Sequence, residues 1–248
     1  IKLLLYPFKE WALMLHGALS AVARRVGAQW SGRASGPDAV QFRLSPELVA
    51  LREEALEVAR RATEGLEVLE DSWMVGASSE FARTLGERGW LGMTWPVEEG
   101  GHGRSPLERF VVFEALIGEG APVATSWFAD RQIGPTLLQF GTSEQRARWL
   151  PEIVAGTSAW CIGMSEPDAG SDVASLRTTA RRRGDVWVVD GQKVWTSGAA
   201  TADWCYLVAR TDPDAPVHEG LSELVVDMRS PGIEVRPIVD ITGSEQFC

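Results

Sequence analysis

The sequence has few of the residues that usually announce a metal centre, a disulfide scaffold or a nucleic-acid surface. There are three cysteines, Cys161, Cys205 and Cys248, and no pair has CxxC spacing. The three histidines, His16, His102 and His218, lie far apart. Nothing in these spacings argues for zinc or for disulfides, and no metal site is expected. Cys161 and Cys205 sit in apolar runs, where a free thiol behaves as a small core residue. A reducing cytoplasm is the simplest setting. Positive charge is also short: the net charge is −10. No basic helix or Lys/Arg block suits a phosphodiester backbone, so nucleic acid is not an expected partner. The run Arg181-Arg182-Arg183, followed by Gly184-Asp185, reads as a solvated hairpin end. No apolar run is long enough to span a bilayer, and stable membrane insertion is not expected. The motifs GxGxxG after a strand, GxxxxGK[ST], HExxH and GxSxG are all missing.

What remains is ordinary globular composition, 45% hydrophobic and 23% charged over 248 residues. The chain starts at Ile1. "WALMLHGALSAVARR" has small residues at spacings that could mimic a signal peptide, but an extension outside the main fold is the preferred reading of residues 1–43, with "SGRASGPDAVQFR" as a linker. Ser45 can then cap a helix with Pro46 at its first position. Leu48, Leu51, Ala55, Val58 and Ala62 mark its buried face. Further helices are predicted in "SSEFARTLGERG", in "SPLERFVVFEALIGEG" with the capping box Ser105-x-x-Glu108, and in "TSEQRARWLPEIVAG" with Thr142-x-x-Gln145. The glycines of "GGHGRSP" read as a tight turn ahead of Ser105.

The pattern changes near Trp160. "DVWVVDGQKVWTS" predicts two extended runs around an Asp190-Gly191 hairpin turn. "DWCYLVARTD", "LSELVVDM" and "GIEVRPIVDI" read as strands. Helices followed by strands predict an α+β fold: an all-α domain at 44–158, then an antiparallel β domain at 159–248. "ITGSEQFC" resembles a strand cut short, so the β domain is expected to be incomplete.

The stretch "WCIGMSEPDAGSD" gathers Glu166, Asp168 and Asp172. Their spacing does not match a Ca²⁺ loop. An acid/base pair is conceivable, but Ser, Asp and Gly at a strand exit commonly build turns. Trp195, followed by Thr196 and Ser197, suits a flat heteroaromatic ligand, with stacking for the ring and hydroxyls for its edge. A tryptophan buried in the sheet is the equal alternative.

"GMSEPDAGSDVASLRT" followed by "VDGQKVWTSGAATADWCYLVARTDPDAP" resembles the middle domain of the acyl-CoA dehydrogenase family. "LGERGWLGMTWPVEEGGHG", "FADRQIGP" and "FGTSEQRARWLPEIVAG" resemble that family's N-terminal helical domain. The likeness covers about residues 45–248, and the wording is most similar to actinobacterial members, including those acting on bulky or steroid-derived acyl-CoA esters. It implies an FAD-dependent oxidoreductase. In such enzymes a glutamate removes the α proton of an acyl-CoA while the β hydrogen leaves as hydride to flavin N5. Hydrogen bonds to the thioester carbonyl stabilise the developing enolate. An electron-transfer flavoprotein takes the electrons, and the enzymes assemble as homo- or hetero-oligomers, dimers or tetramers.

By position, the resemblance implies that Met164 and Ser165 meet the flavin and that Ser171 lies near the FAD pyrophosphate and the CoA pantetheine. Trp195 packs on the isoalloxazine and Ser197 offers its hydroxyl towards N5. Many members have Thr at positions 165 and 197 and an aromatic at position 162. The family's catalytic glutamate and four-helix C-terminal domain are expected beyond Cys248. No catalytic base is therefore assigned in this chain, and alone it is expected to be inactive and to hold flavin weakly. Two alternatives keep the fold: a non-catalytic flavin- or CoA-binding subunit of a heteromeric dehydrogenase, and an acyl-CoA oxidase or flavin monooxygenase.

Overall fold

A computed structural model describes residues 2–4, 43–65, 72–241 and 243–248, with residues 2–4 and Val75 described by backbone only. The linker and the signal-like stretch predicted between residues 5 and 42 lie outside the described residues.

The helical part begins at α1 (Pro46–Thr63), which starts as its sequence requires: the Ser45 side chain accepts from the Leu48 N–H, and Pro46 occupies the first turn. Then come α2 (Ser72–Val75), α3 (Ser79–Glu87), α4 (Pro106–Gly118), α5 (Ala124–Phe128), α6 (Gly134–Phe140) and α7 (Ser143–Val154). The capping boxes at Ser105/Glu108 and Thr142/Gln145 both form. Each satisfies N–H groups that a helix start leaves without partners. Leu56 and Ala59 join the predicted face of α1 in a core with Phe81, Leu85, Val112 and Leu116. Arg52–Glu114 and Arg60–Glu119 ion pairs close the rim of the α1–α4 contact. Between α5 and α6 the chain makes one π-type turn, Ala129–Ile133. There Asp130, buried, accepts from the Gly92 N–H at 2.7 Å and from Arg109 at 2.6 Å.

The strands are β1 (Lys2–Leu4), β2 (Trp160–Gly163), β3 (Thr179–Arg183), β4 (Val186–Asp190), β5 (Trp204–Arg210) and β6 (Leu221–Asp227). They form one sheet in the order β1-β6-β5-β3-β4, with β2 also on β5. Residues Lys2–Leu4, expected outside the fold, pair with β6. β5 is buried on both faces. Tyr206 meets the helices with Trp149, Leu150 and Ile153. Cys205, Leu207 and Ala209 pack on the opposite face with Ala180 and Leu224. The period of two along the strand puts alternate side chains into the two layers. Trp149, Trp160 and Trp204 meet at the helix–sheet seam, with centroids 5.8 to 6.3 Å apart.

Three further expectations change. The sheet is mixed, not wholly antiparallel: β2 runs parallel to β5 in full register, and β3 touches β5 in parallel through Thr179 and Arg210. A parallel pair needs a long connection, and the whole segment between Gly163 and Trp204 supplies it. The hairpin turn falls at Gly184-Asp185, with Arg183 opposite Val186. Gly184 adopts φ +61, as a two-residue loop with glycine first demands. Asp190-Gly191 is not a turn. Asp190 is the last rung of β4, opposite Thr179. Gly191 is a close approach, where a Cβ would lie 2.3 Å from Thr178 Oγ1 and 2.6 Å from its Cα. Finally, "GIEVRPIVDI" is not a strand. It makes one isolated bridge, Ile238 to Phe247, and Ile233, Val235, Val239 and Ile241 are exposed. Its apolar alternation finds no neighbouring strand among the described residues, and Pro237 has no N–H to give to one.

Candidate functional site

The site is built where β2 ends. Gly163 is the last residue of β2, and a Cβ there would lie 3.1 Å from Cys205 Sγ and 3.3 Å from Lys193 Cγ. The Lys193 stem therefore lies across the strand end. Its ammonium donates to the Met164 carbonyl and to Glu166 Oε1, both at 2.9 Å. The Val194 N–H donates to the Ser165 carbonyl at 2.9 Å. Two segments far apart in sequence, Met164–Glu166 and Lys193–Val194, are thus laced side by side.

Glu166 is the centre of this lacing. It is buried and also accepts from the backbone N–H groups of Arg177 at 2.7 Å and Thr178 at 2.9 Å. Its own N–H and carbonyl pair with Ala169, making the tight turn over Pro167-Asp168. Burial works against the charged form, but donors from Thr178, Arg177 and Lys193 outweigh it and hold the carboxyl at about 2. Burial lowers Lys193 from the usual lysine range, and Glu166 offsets part of that. A carboxylate so occupied is a fastener, not a base. Asp168 makes only an exposed 3.5 Å contact with Arg177, and Asp172 contributes its carbonyl to Ser175. Among the described residues no group of three or more His, Cys, Asp or Glu is placed to hold a metal. Cys161 lies beside Cys205, its register partner; their hydrogen bond and burial push the Cys161 thiol up.

Beyond Lys193 the chain turns sharply. Trp195 is 60% exposed and holds φ +61, alone among the described non-glycine residues in that half of the map. Its ring stands edge-on to Phe247 at 5.9 Å. Thr196 and Gly198 are held by backbone bonds to Cys248 and Gln246. Ser197 then lines a cleft of about 220 Å³ between the helices and the sheet, with Met74, Thr125, Phe128, Trp160 and Gln246. The Gln246 Oε1 is buried there without a hydrogen-bond partner. An unpaired buried acceptor is costly.

The geometry brings Met164 and Ser165 against the Lys193–Val194 segment that leads into Trp195, one ledge, and of the predicted residues Ser197 is the one that lines the cleft. Ser171 is exposed further along the loop, away from the ledge contacts. The residues that fasten the ledge, Lys193, Gln246 and Phe247, were not singled out in the sequence. For Lys193 the signal was a lone lysine inside "QKVW", beside apolar neighbours. Among the described residues, no helix is long and apolar enough to cross a membrane.

Comparison with known proteins gives this arrangement a family. Residues 45–157 match the acyl-CoA dehydrogenase N-terminal domain, and residues 161–247 match the acyl-CoA dehydrogenase middle domain. The acyl-CoA dehydrogenase IpdE1 of Mycobacterium tuberculosis is 46% identical over 163 residues, which is 66% of this chain and 42% of that protein. Mitochondrial isovaleryl-CoA dehydrogenase of Pongo abelii is 32% identical over 66% of this chain and 39% of its own length. Among solved structures, a steroid acyl-CoA dehydrogenase, Tcur3481-Tcur3483, superposes with TM-score 0.75 at 38% identity, over 84% of this chain and 57% of that one. The ChsE4-ChsE5 complex of M. tuberculosis superposes with TM-score 0.73 at 34% identity, over 84% and 53%. The chain spans less than half the length of the curated relatives it matches. With both halves matched in order and the sheet-side loop and helices in the same fold, the chain belongs to the acyl-CoA dehydrogenase family.

Proposed function

We propose that the full-length protein is an FAD-dependent dehydrogenase that desaturates an acyl-CoA thioester between Cα and Cβ, and that this chain supplies one wall of its flavin and CoA cleft. The observation that carries the reading is Trp195, an exposed indole fixed in a left-handed backbone conformation two residues before Ser197, which itself lines the cleft. A large aromatic left in water and held off the favoured backbone map is the kind of feature that persists at ligand sites. The donor set fits the cofactor. An indole face suits a flat heteroaromatic ring, and hydroxyls and backbone groups suit its polar edge.

FAD would supply the hydride acceptor for Cβ. Trp195 would stack on its ring system, Met164 and Ser165 would meet its edge, and Ser197 would offer a hydroxyl. Ser171 would serve the pyrophosphate and the pantetheine of CoA. Glu166 is committed to its donors, so it is not the base that takes the α proton, and no base is assigned among the residues of this chain. This reading takes residues 44–158 as the helical domain, 159–248 as the middle domain and 1–43 as an extension whose residues Lys2–Leu4 pair with β6 of the sheet. An electron-transfer flavoprotein in the cytoplasm is the acceptor.

A second reading has one supporting observation: one similar structure is a complex of two differently named chains, ChsE4 and ChsE5. On that reading the protein is one half of a heteromeric dehydrogenase, and its partner carries the base. The test is the purified full-length protein. It is expected to hold FAD and to lose its yellow colour anaerobically when an acyl-CoA, steroid-derived or fatty, is added. Trp195→Ala is expected to loosen FAD by about 1–3 kcal/mol. Absence of FAD, or unchanged affinity in the variant, refutes the reading. Reoxidation by O₂ in place of a carrier flavoprotein identifies an oxidase.

A further inference from the structure

The peptide between Met164 and Ser165 is a rigid plane with its carbonyl and N–H on opposite sides, because the bond is planar and trans. Whatever holds the Met164 carbonyl therefore aims the Ser165 N–H. That carbonyl is held by the Lys193 ammonium at 2.9 Å. The next carbonyl, of Ser165, is held by the Val194 N–H at 2.9 Å. No bond within the described chain takes up the Ser165 N–H or its hydroxyl. The chain thus spends its donors on the rear of this peptide and leaves the front donors free.

Lys193 is itself kept from wandering. Its side chain is 11% exposed, its stem is wedged over Gly163, and Glu166 takes a second of its three N–H bonds. Glu166, 6% exposed at its side chain, is in turn fixed by the backbone of Arg177 and Thr178 at the start of β3. The chain of contacts runs from the rigid sheet through one carboxylate and one ammonium to a single peptide plane. A free lysine on the surface would sample many rotamers, whereas a desolvated one with two charged or dipolar partners holds one direction.

We propose that Lys193 and Glu166 are positioning residues that set the angle at which the Ser165 N–H and hydroxyl meet the flavin. The proposal rests on the functional reading above, and nothing in it requires either residue to touch the substrate.

The experiment uses the FAD-loaded full-length protein with three variants: Lys193→Met, Trp195→Ala and Val112→Ala. Lys193→Met keeps the buried stem and removes the ammonium. Val112→Ala makes a cavity in the helical core, in a cluster that contains none of the ledge residues, and serves as a control for general loss of stability. Lys193→Met is expected to weaken FAD binding about tenfold, the worth of one hydrogen bond that the misdirected Ser165 donors no longer make. It is also expected to shift the visible flavin absorption band, which responds to hydrogen bonding at the ring edge. Val112→Ala is expected to lower the melting temperature without shifting the band. If Lys193→Met binds FAD as tightly as wild type with an unshifted band while Trp195→Ala is weakened, the positioning role is overturned and the functional reading stands. If wild type binds no FAD, both fall. Should Lys193→Met not fold, Glu166→Gln decides. Its amide presents a donor to a pocket of donors, so it is expected to shift the band in the same direction, and an unshifted band overturns the proposal.

Discussion

Trp195 holds φ +61 without being glycine, and the residue is 60% exposed. For an L-residue that backbone conformation costs about 1–2 kcal/mol. Removing the indole costs the edge-on contact with Phe247, about 0.5–1.5 kcal/mol, plus the burial of the ring's covered part. Ala and Gly at this position lose the same ring, so those losses cancel between them. They differ in backbone alone. Ala keeps the Cβ and the strain, while Gly releases about 1–2 kcal/mol of it. Gly adds chain entropy to the unfolded state, which costs about 0.5–1 kcal/mol. Trp195→Gly is therefore expected to be more stable than Trp195→Ala by about 0.5–1 kcal/mol, the reverse of the order at an ordinary position. In a chain of this size that is about 1–4 °C in melting temperature. Thermal melts of the FAD-free variants, followed by circular dichroism, measure it. FAD affinity is expected to fall equally in both, because the stacking face is gone from both. A Gly variant that melts below the Ala variant refutes the strained-ledge reasoning.

Two further outcomes follow from packing and charge. At Gly134, a helical residue with φ −58, a Cβ would lie 2.1 Å from Trp95 Cζ2, and Trp95 is itself braced at its Cβ by Gly101. Gly134→Ala is therefore expected to lose about 1–2 kcal/mol despite the helix-propensity gain, whereas Gly118→Ala, with open space around it, is expected to gain about 0.5 kcal/mol; chemical denaturation giving the same sign for both refutes this. Glu166 is held at about 2 in the fold against about 4.3 in an unfolded chain. A lowered carboxyl stabilises above the unfolded value, and that contribution disappears as pH falls towards the folded one, here about 3 kcal/mol in all. The stability gap between wild type and Glu166→Gln is expected to narrow by more than half of that by about pH 3, and a gap that stays constant from pH 6 to 3 refutes it.

Local signals in the sequence carried far, and long-range ones did not. Ser105-Pro106-x-Glu108 and Thr142-x-x-Gln145 each place their partners within three residues, so the helix starts could be read directly. The hairpin was misplaced because Asp190-Gly191 and Gly184-Asp185 offer similar turn chemistry. What decides between them is the contact of Gly191 with Thr178, invisible along the chain. The parallel pairing of β2 with β5 depends on a register between strands 40 or so residues apart, which periodicity does not encode. "GIEVRPIVDI" has strand composition but no neighbouring strand here, and strand propensity is largely a measure of neighbours. In the candidate site, the acids of "SEPDAGSD" were legible as turn-formers. That Glu166 also anchors Lys193 was not, since its partner lies 27 residues away.

The β3–β4 hairpin joins the rest of the sheet through the single pair Thr179–Arg210, and every later rung is internal to the hairpin. Its root is pinned on one side by Glu166 to Arg177 and Thr178, and on the other by Gly191 against Thr178. Mechanically it is clamped at the base and rests one face, through Ala180, Trp187 and Val189, on the sheet core, with Arg181, Arg182 and Arg183 towards a solvent-facing tip. The Gly184-Asp185 tip is thus a natural graft point, where an inserted tag, fluorophore peptide or surface tether would hang from the molecule while the ledge behind the clamp keeps its shape.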